Sequence, residues 1–147
     1  MGFDDHPMTL TIPSDLRLLG MARQFVEAVC HTGGVAADPT DAIVLAANEA
    51  ISNIIRHAHR DRCGAQLKIQ CRLLDNGIEL VFQDEGAPFD LEAVPHLNPA
   101  ELRIGGRGVF LMRTLMDDLS CQSIDGGGNV LRMVKHCCRN SSRRECG

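Results

Sequence analysis

Glu49 and Asn53 stand four residues apart in the run Asn48-Glu49-Ala50-Ile51-Ser52-Asn53-Ile54-Ile55-Arg56-His57-Ala58. On a helix that spacing projects both side chains from one face. A carboxylate beside a carboxamide suits a hard cation, and Mg²⁺ prefers oxygen ligands while keeping waters and phosphate oxygens in its shell. A second run, Gln83-Asp84-Glu85-Gly86-Ala87-Pro88-Phe89-Asp90, follows a strand-like segment. A carboxylate at a strand end can accept a hydrogen bond from an amine such as that of adenine, and a glycine next to it lets the backbone bend close past a ring. The third run, Gly105-Gly106-Arg107-Gly108, opens the apolar stretch Val109-Phe110-Leu111-Met112. A glycine-rich turn at a helix start offers free N–H groups and the positive end of the helix dipole to an anion, with Arg107 adding charge. Taken singly, each run also reads as ordinary structure: a solvated Glu/Asn pair, an acidic turn, a flexible linker. The glycine spacing matches neither the P-loop nor the Rossmann fingerprint.

The elements that must hold these residues follow from periodicity. Met8 to Ile12 reads as a short strand, stopped by Pro13-Ser14, with Ser14 as a helix N-cap. Leu18, Ala22, Phe25 and Val29 then recur at helical spacing until Gly33-Gly34. Asp38 or Thr40 can cap a second, long helix with the stripe Ile43, Ala47, Ile51, Ile54 and Ala58, running to about His59. Ala65 to Leu74 reads as a strand with Leu67, Ile69, Cys71 and Leu73 on one face. Asp75-Asn76-Gly77 is a hairpin signal, because Asn-Gly tolerates the positive φ of a tight turn, and Ile78 to Gln83 returns beside it. Gly86 to Gly108 breaks the pattern with Pro88, Pro95 and Pro99, and a loop of that length is expected to be a mobile lid. Val109 to Met116 is helical, and Leu119 to Ile124 and Val130 to Val134 are strands joined by Asp125-Gly126-Gly127-Gly128. The order predicts an α/β two-layer sandwich, a mixed but mostly antiparallel sheet covered by helices on one face.

The bulk numbers narrow the class. A chain of 147 residues with 44% hydrophobic content builds one domain, here residues 1–138, with a basic polar tail at 139–147. A net charge of −4 gives no general attraction to nucleic acid. No apolar run is long enough to span a membrane and no signal peptide opens the chain, so the reading is cytoplasmic. The seven cysteines form no C-x-x-C and no zinc spacing, which points to free thiols. His57 and His59 are two apart and share no helical face, which argues for a structural or surface role.

Helix-borne E-x-x-x-N, then strand-end D-x-G, then a lid, then G-x-G at a helix start, in that order, resembles the gyrase/chaperone/histidine-kinase ATPase superfamily with its Bergerat nucleotide fold. The resemblance runs from about Met8 to His136. Within the superfamily, Glu-Ala-Ile-Ser-Asn-Ile-Ile-Arg-His, Asp-Glu-Gly-Ala-Pro-Phe-Asp, Gly-Arg-Gly-Val-Phe-Leu-Met and Leu115-Met116-Asp117-Asp118 are similar to motifs of the anti-sigma-factor serine kinases. The resemblance implies that Asn53 binds Mg²⁺ and that Glu49 is the general base toward an attacking hydroxyl. It implies that Asp84 accepts the adenine amine, that Gly86 allows close approach, and that Gly106, Arg107 and Gly108 surround the phosphates of ATP or ADP. It further implies a serine on an anti-anti-sigma antagonist protein as substrate, a sigma factor as partner, and a homodimer.

Two departures stand out. Many superfamily members carry a further glycine where this chain has Pro88. Many also carry a Thr near the last strand, where this chain has Gly128-Asn129-Val130, with Asn129 as a replacement hydrogen-bonding side chain. The leading expectation is an ATP-dependent protein-serine kinase that is also an anti-sigma factor. A non-catalytic partner-switching regulator with a weak or lapsed ATP site is the alternative, separated from the first by the intact Glu49 and Asn53. A sensor histidine kinase domain is a third reading, opposed by the absence of a preceding helix pair bearing a phospho-accepting His.

Overall fold

The computed structural model describes residues 5–58, 64–91 and 107–140. Its elements run in the order β1 (Met8–Pro13), α1 (Leu19–Thr32), α2 (Ala37–Asn53), β2 (Gln66–Leu74), β3 (Gly77–Asp84), α3 (Arg107–Leu115), β4 (Asp118–Ser123) and β5 (Asn129–His136). The five strands form one sheet in the order β1-β2-β3-β5-β4, and every pairing is antiparallel. Among the described residues, no helix is long and apolar enough to cross a membrane.

Alternation along the strands decides which face the helices cover. Leu67, Ile69, Cys71 and Leu73 of β2 and Ile78, Leu80 and Phe82 of β3 are all buried, with Leu131 and Met133 continuing the face on β5. On α1, Ala22, Val26, Val29 and Cys30 pack down onto this surface. On α2, the same role falls to Ile43, Ala47 and Ile51. With no Trp or Tyr in the chain, the core is aliphatic apart from Phe82, the largest fully buried side chain. Burial of such side chains stabilises by about 1.5–3 kcal/mol each, before ordering costs are counted.

Several local expectations change. Ser14 does not cap the first helix. Asp15 instead caps a single 3₁₀ turn, Leu16–Leu18, accepting from the Arg17 backbone N–H at 2.8 Å, and α1 follows with Leu18 at its N-cap and no side-chain cap. The Arg17 guanidinium beside it holds the Asp15 carboxyl down at about 2. No side chain caps α2, whose N-cap is Ala36; Asp38 lies in its first turn, while Thr40 Oγ1 reaches back to the Val35 carbonyl at 3.4 Å. The hairpin loop is Asp75-Asn76, between the register partners Leu74 and Gly77, and neither loop residue has the positive φ that the Asn-Gly signal suggests.

The second helix is also not α-helical to its end. It changes after Asn53 into a π-helical segment, Ile54–Ala58. Ile54 and Ile55 are both buried, although they are adjacent in sequence. A wider π turn brings neighbouring residues to the same side, and such segments recur at functional sites. The chain beyond β5 stays tied to the domain. Arg139 donates to the carbonyls of Gly33 and Leu74, each at 2.7 Å, and bridges Val35, so residues 139 and 140 are anchored in the domain. His59, Cys63 and residues 141–147 lie outside the described residues, as does the part of the lid from 92 to 106.

Candidate functional site

Asp84 is the next inward position after Ile78, Leu80 and Phe82 on β3, so strand alternation drives a carboxylate onto the helix-covered face. It is only 4% exposed. Its Oδ1 accepts from the Gly86 backbone N–H at 2.7 Å, folding the chain back over the carboxylate, and from Asn129 Nδ2 at 3.1 Å. Asn129 is register partner to Asp84 across β3 and β5, and it too is buried. The buried polar pair is thus hydrogen-bonded, as burial demands.

Beside this pair opens a cleft of about 340 Å³. Its floor is Leu131 and Cys121 of the sheet. One wall is Ala50, Asn53 and Ile54 of the second helix, and the other is Ala87, Pro88, Phe89 and Leu91. Val109 and Met112 of α3 close it. A concave, mostly apolar pocket with a few converging polar groups is what a flat heteroaromatic ring requires. Arg113 of α3 donates to the Leu91 carbonyl at 2.8 Å, fastening the start of the long loop to the helix that follows it.

At the other end, Glu49 and Asn53 face the start of α3. Gly108 sits against them so closely that a Cβ there would lie 2.8 Å from Asn53 Nδ2 and 3.0 Å from Glu49 Oε2. Any larger residue there would push the heads of these two side chains away from the first turn of α3. The opening N–H groups of α3 therefore lie next to a carboxylate and a carboxamide, with Arg107 exposed at the helix start. Among the described residues no group of three or more His, Cys, Asp and Glu is arranged to hold a metal. One carboxylate and one amide oxygen fit Mg²⁺, which takes few protein ligands and completes its shell with phosphate and water.

The structure therefore places Asp84 and Asn53 in one cleft, with Gly86 bonded to Asp84 and with Glu49 and Gly108 packed beside Asn53. Gly106 lies outside the described residues. The motif reading did not place Cys121, Leu91 and Met112 in this cleft, because nothing in their local sequence marks them. Asn129 had a signal: it alternates with Leu131 and Met133 and so belongs on the inward face. Gly128 before it has φ +107°, and a Cβ there would run into the Asp84 carbonyl. Gly128 thereby lets β5 start directly beneath the end of β3.

Two outcomes follow from this packing. Gly108→Ala places a methyl group between the helix start and the heads of Glu49 and Asn53. On the expectation from the sequence that the site takes a nucleotide with Mg²⁺, this should weaken binding about tenfold, since misplaced groups carry large costs; titration with and without the metal measures it. The second concerns thiols. The five described cysteines are free. Burial pushes the Cys30 and Cys71 thiols up to about 12, and burial, then the negative charges of Asp84 and Asp90, pushes Cys121 up to about 11. The thiolate is the reactive form. Among the described cysteines, alkylation near neutral pH is therefore expected first at exposed Cys138, slowly at Cys121, and at Cys30 and Cys71 only on unfolding. Peptide mass mapping over time reads the order.

Comparison with known proteins bears on the family and the fold. Residues 12–135 match the family described as Histidine kinase-like ATPase domain. The chain is 30% identical over 118 residues to the serine-protein kinase RsbW of Oceanobacillus iheyensis, covering 75% of each chain. It is 27% identical over 132 residues to the protein of the same name from Listeria innocua, covering 84% of each, and 29% identical to that of Halalkalibacterium halodurans, covering 86% of this chain and 80% of the relative. Among solved structures, the histidine kinase domain of the Erythrobacter litoralis EL346 blue-light activated histidine kinase superposes with a TM-score of 0.53 at 20% identity. The match covers 84% of this chain and 65% of that one, a likeness of fold.

Proposed function

Because the chain belongs to the Histidine kinase-like ATPase domain family, we propose that it is an ATP-dependent protein-serine kinase whose substrate is an antagonist protein and which sequesters a sigma factor when that antagonist is absent or phosphorylated. The observation that carries this reading is a cleft lined by both Asp84 and Asn53, with Glu49 and Gly108 packed beside Asn53. The base of ATP would lie in the apolar cleft, its amine toward Asp84. The phosphates would reach the start of α3, beside Arg107 and Gly108, with Gly106 given the same role by its place in the motif alone. Asn53 would hold Mg²⁺, which supplies neutralisation of phosphate charge. Glu49 would orient the incoming serine hydroxyl and take its proton. Phosphoryl transfer asks for positioning and charge neutralisation more than covalent help, and Glu49, Asn53 and the N–H groups opening α3 would supply them.

A net charge of −4 directs the output toward protein partners in the cytoplasm rather than toward DNA. A homodimer would hold the sigma factor, and a partner touching the loop between Gly86 and Gly108 would sense ATP against ADP. The test is a calorimetric titration with Mg-ATP and Mg-ADP, followed by incubation with Mg-ATP and the antagonist protein. Binding with transfer of one phosphate to a serine is expected. No heat and no thermal shift at millimolar nucleotide would end the nucleotide reading. Binding without transfer would leave a partner-switching regulator.

A further inference from the structure

Asn129 spends its entire amide on the walls of the cleft. Its Nδ2 donates to Asp84 Oδ1 at 3.1 Å and to the Ala87 carbonyl at 2.8 Å. Its Oδ1 accepts from the Phe89 backbone N–H at 2.9 Å and from Ser123 Oγ at 3.3 Å. A carboxamide has two N–H donors and two acceptor lone pairs, and all four are engaged in a residue that is 2% exposed. The orientation of the amide is determined by these partners: a carboxylate and a carbonyl can only accept, and a backbone N–H can only donate. Asn129 therefore has no donor left for a bound base. Whatever it does for a ligand, it does through Asp84 and through the segment Ala87–Phe89.

Both of these line the cleft. With Oδ1 of Asp84 held from one side by the Gly86 N–H and from another by Asn129, the plane of the carboxylate is set before any ligand arrives. The same amide grips Ala87 and Phe89, whose residues form the wall opposite the second helix. A hydroxyl side chain at this position has one donor and cannot serve Asp84 and Ala87 together. We infer that Asn129 is the positioning residue for base selectivity, holding Asp84 ready for the exocyclic amine of adenine while fixing the wall against which the ring lies. The inference rests on the nucleotide reading above.

The experiment compares Mg-ATP with the triphosphate of purine riboside, which lacks the 6-amine, by calorimetry on wild type, Asn129→Ala and Asn129→Ser. The Ser variant, which leaves a polar group in the pocket, serves if the Ala variant does not fold; thermal unfolding without nucleotide reads that separately. Wild type is expected to prefer ATP by about 10- to 100-fold, the usual worth of a hydrogen bond to a charged group. In the variants that preference should fall to within about threefold, because ATP binding weakens more than binding of the amine-free analogue, which loses only the support of the wall. Hydrogen exchange of the Phe89 amide in the ligand-free variants should quicken. Equal weakening of both nucleotides would mark Asn129 as merely structural and overturn the inference, as would variants that keep the preference for ATP. A wild type that binds ATP without preference overturns it too. A wild type that binds neither nucleotide instead removes the nucleotide reading, and this inference with it.

Discussion

Glu49→Gln is expected to reduce phosphoryl transfer by about 10²–10⁴ while leaving the affinity for Mg-ATP nearly unchanged, the usual cost of losing a positioned general base. The substitution keeps the side chain's size, so the packing against Gly108 is retained. What is lost is the ability to take a proton. Asn53→Ala should behave in the opposite way. It removes a carboxamide from the cleft wall and is expected to weaken the Mg²⁺-dependent part of binding, seen as a smaller difference between titrations with the metal and with a chelator. Glu49 and Asn53 lie one turn apart on the same helix, so a general collapse of that helix would affect both measurements in both variants. The crossed pattern separates chemistry from structure. Loss of nucleotide binding in Glu49→Gln with none in Asn53→Ala would mean that the two roles are exchanged or wrong.

Asp84→Ala should show the other large effect, on affinity and on stability together. The Gly86 N–H and one N–H of Asn129 lose their shared acceptor inside the protein. Each orphaned donor costs about 1–3 kcal/mol unless water replaces the carboxylate. The hydrogen bond proposed from Asp84 to the adenine amine would go as well, so ATP affinity should fall by about 10- to 100-fold. Chemical denaturation without nucleotide measures the first loss and calorimetry the second. Unchanged ATP affinity in a folded Asp84→Ala variant would exclude this carboxylate from base recognition.

Much of this arrangement was legible in the chain itself. The period-two pattern of β2 and β3 placed Leu67, Ile69, Cys71 and Leu73 on a buried face, and the helical stripe through Ile43, Ala47, Ile51 and Ile54 placed Glu49 and Asn53 together beside it. These are local properties: alternation and helical spacing depend only on neighbours a few residues away. The same locality explains the errors. Whether Ser14 or Asp15 caps the first helical turn depends on where the chain enters, and Ser14 is instead drawn to β2's side, its N–H donating to the Ala65 carbonyl at 2.9 Å. The change to a π turn after Asn53 arises because the core receives both Ile54 and Ile55, a demand that a single-helix stripe does not express.

The order of the three motifs was sufficient to suggest a nucleotide site, but their meeting required the sheet. Asp84 and Asn129 are 45 positions apart and become partners only because β5 pairs with β3 in one particular register. A shift of one residue would turn every inward side chain outward. Gly108 and Glu49 are likewise distant in sequence, and their close approach exists because α3 packs on α2 over the same sheet. By itself the sequence determined which residue types were available and which face each would take within its own element. Only the tertiary structure decided which faces meet, because strand register and helix packing are settled by burying the whole apolar surface at once, a condition no short stretch of chain contains.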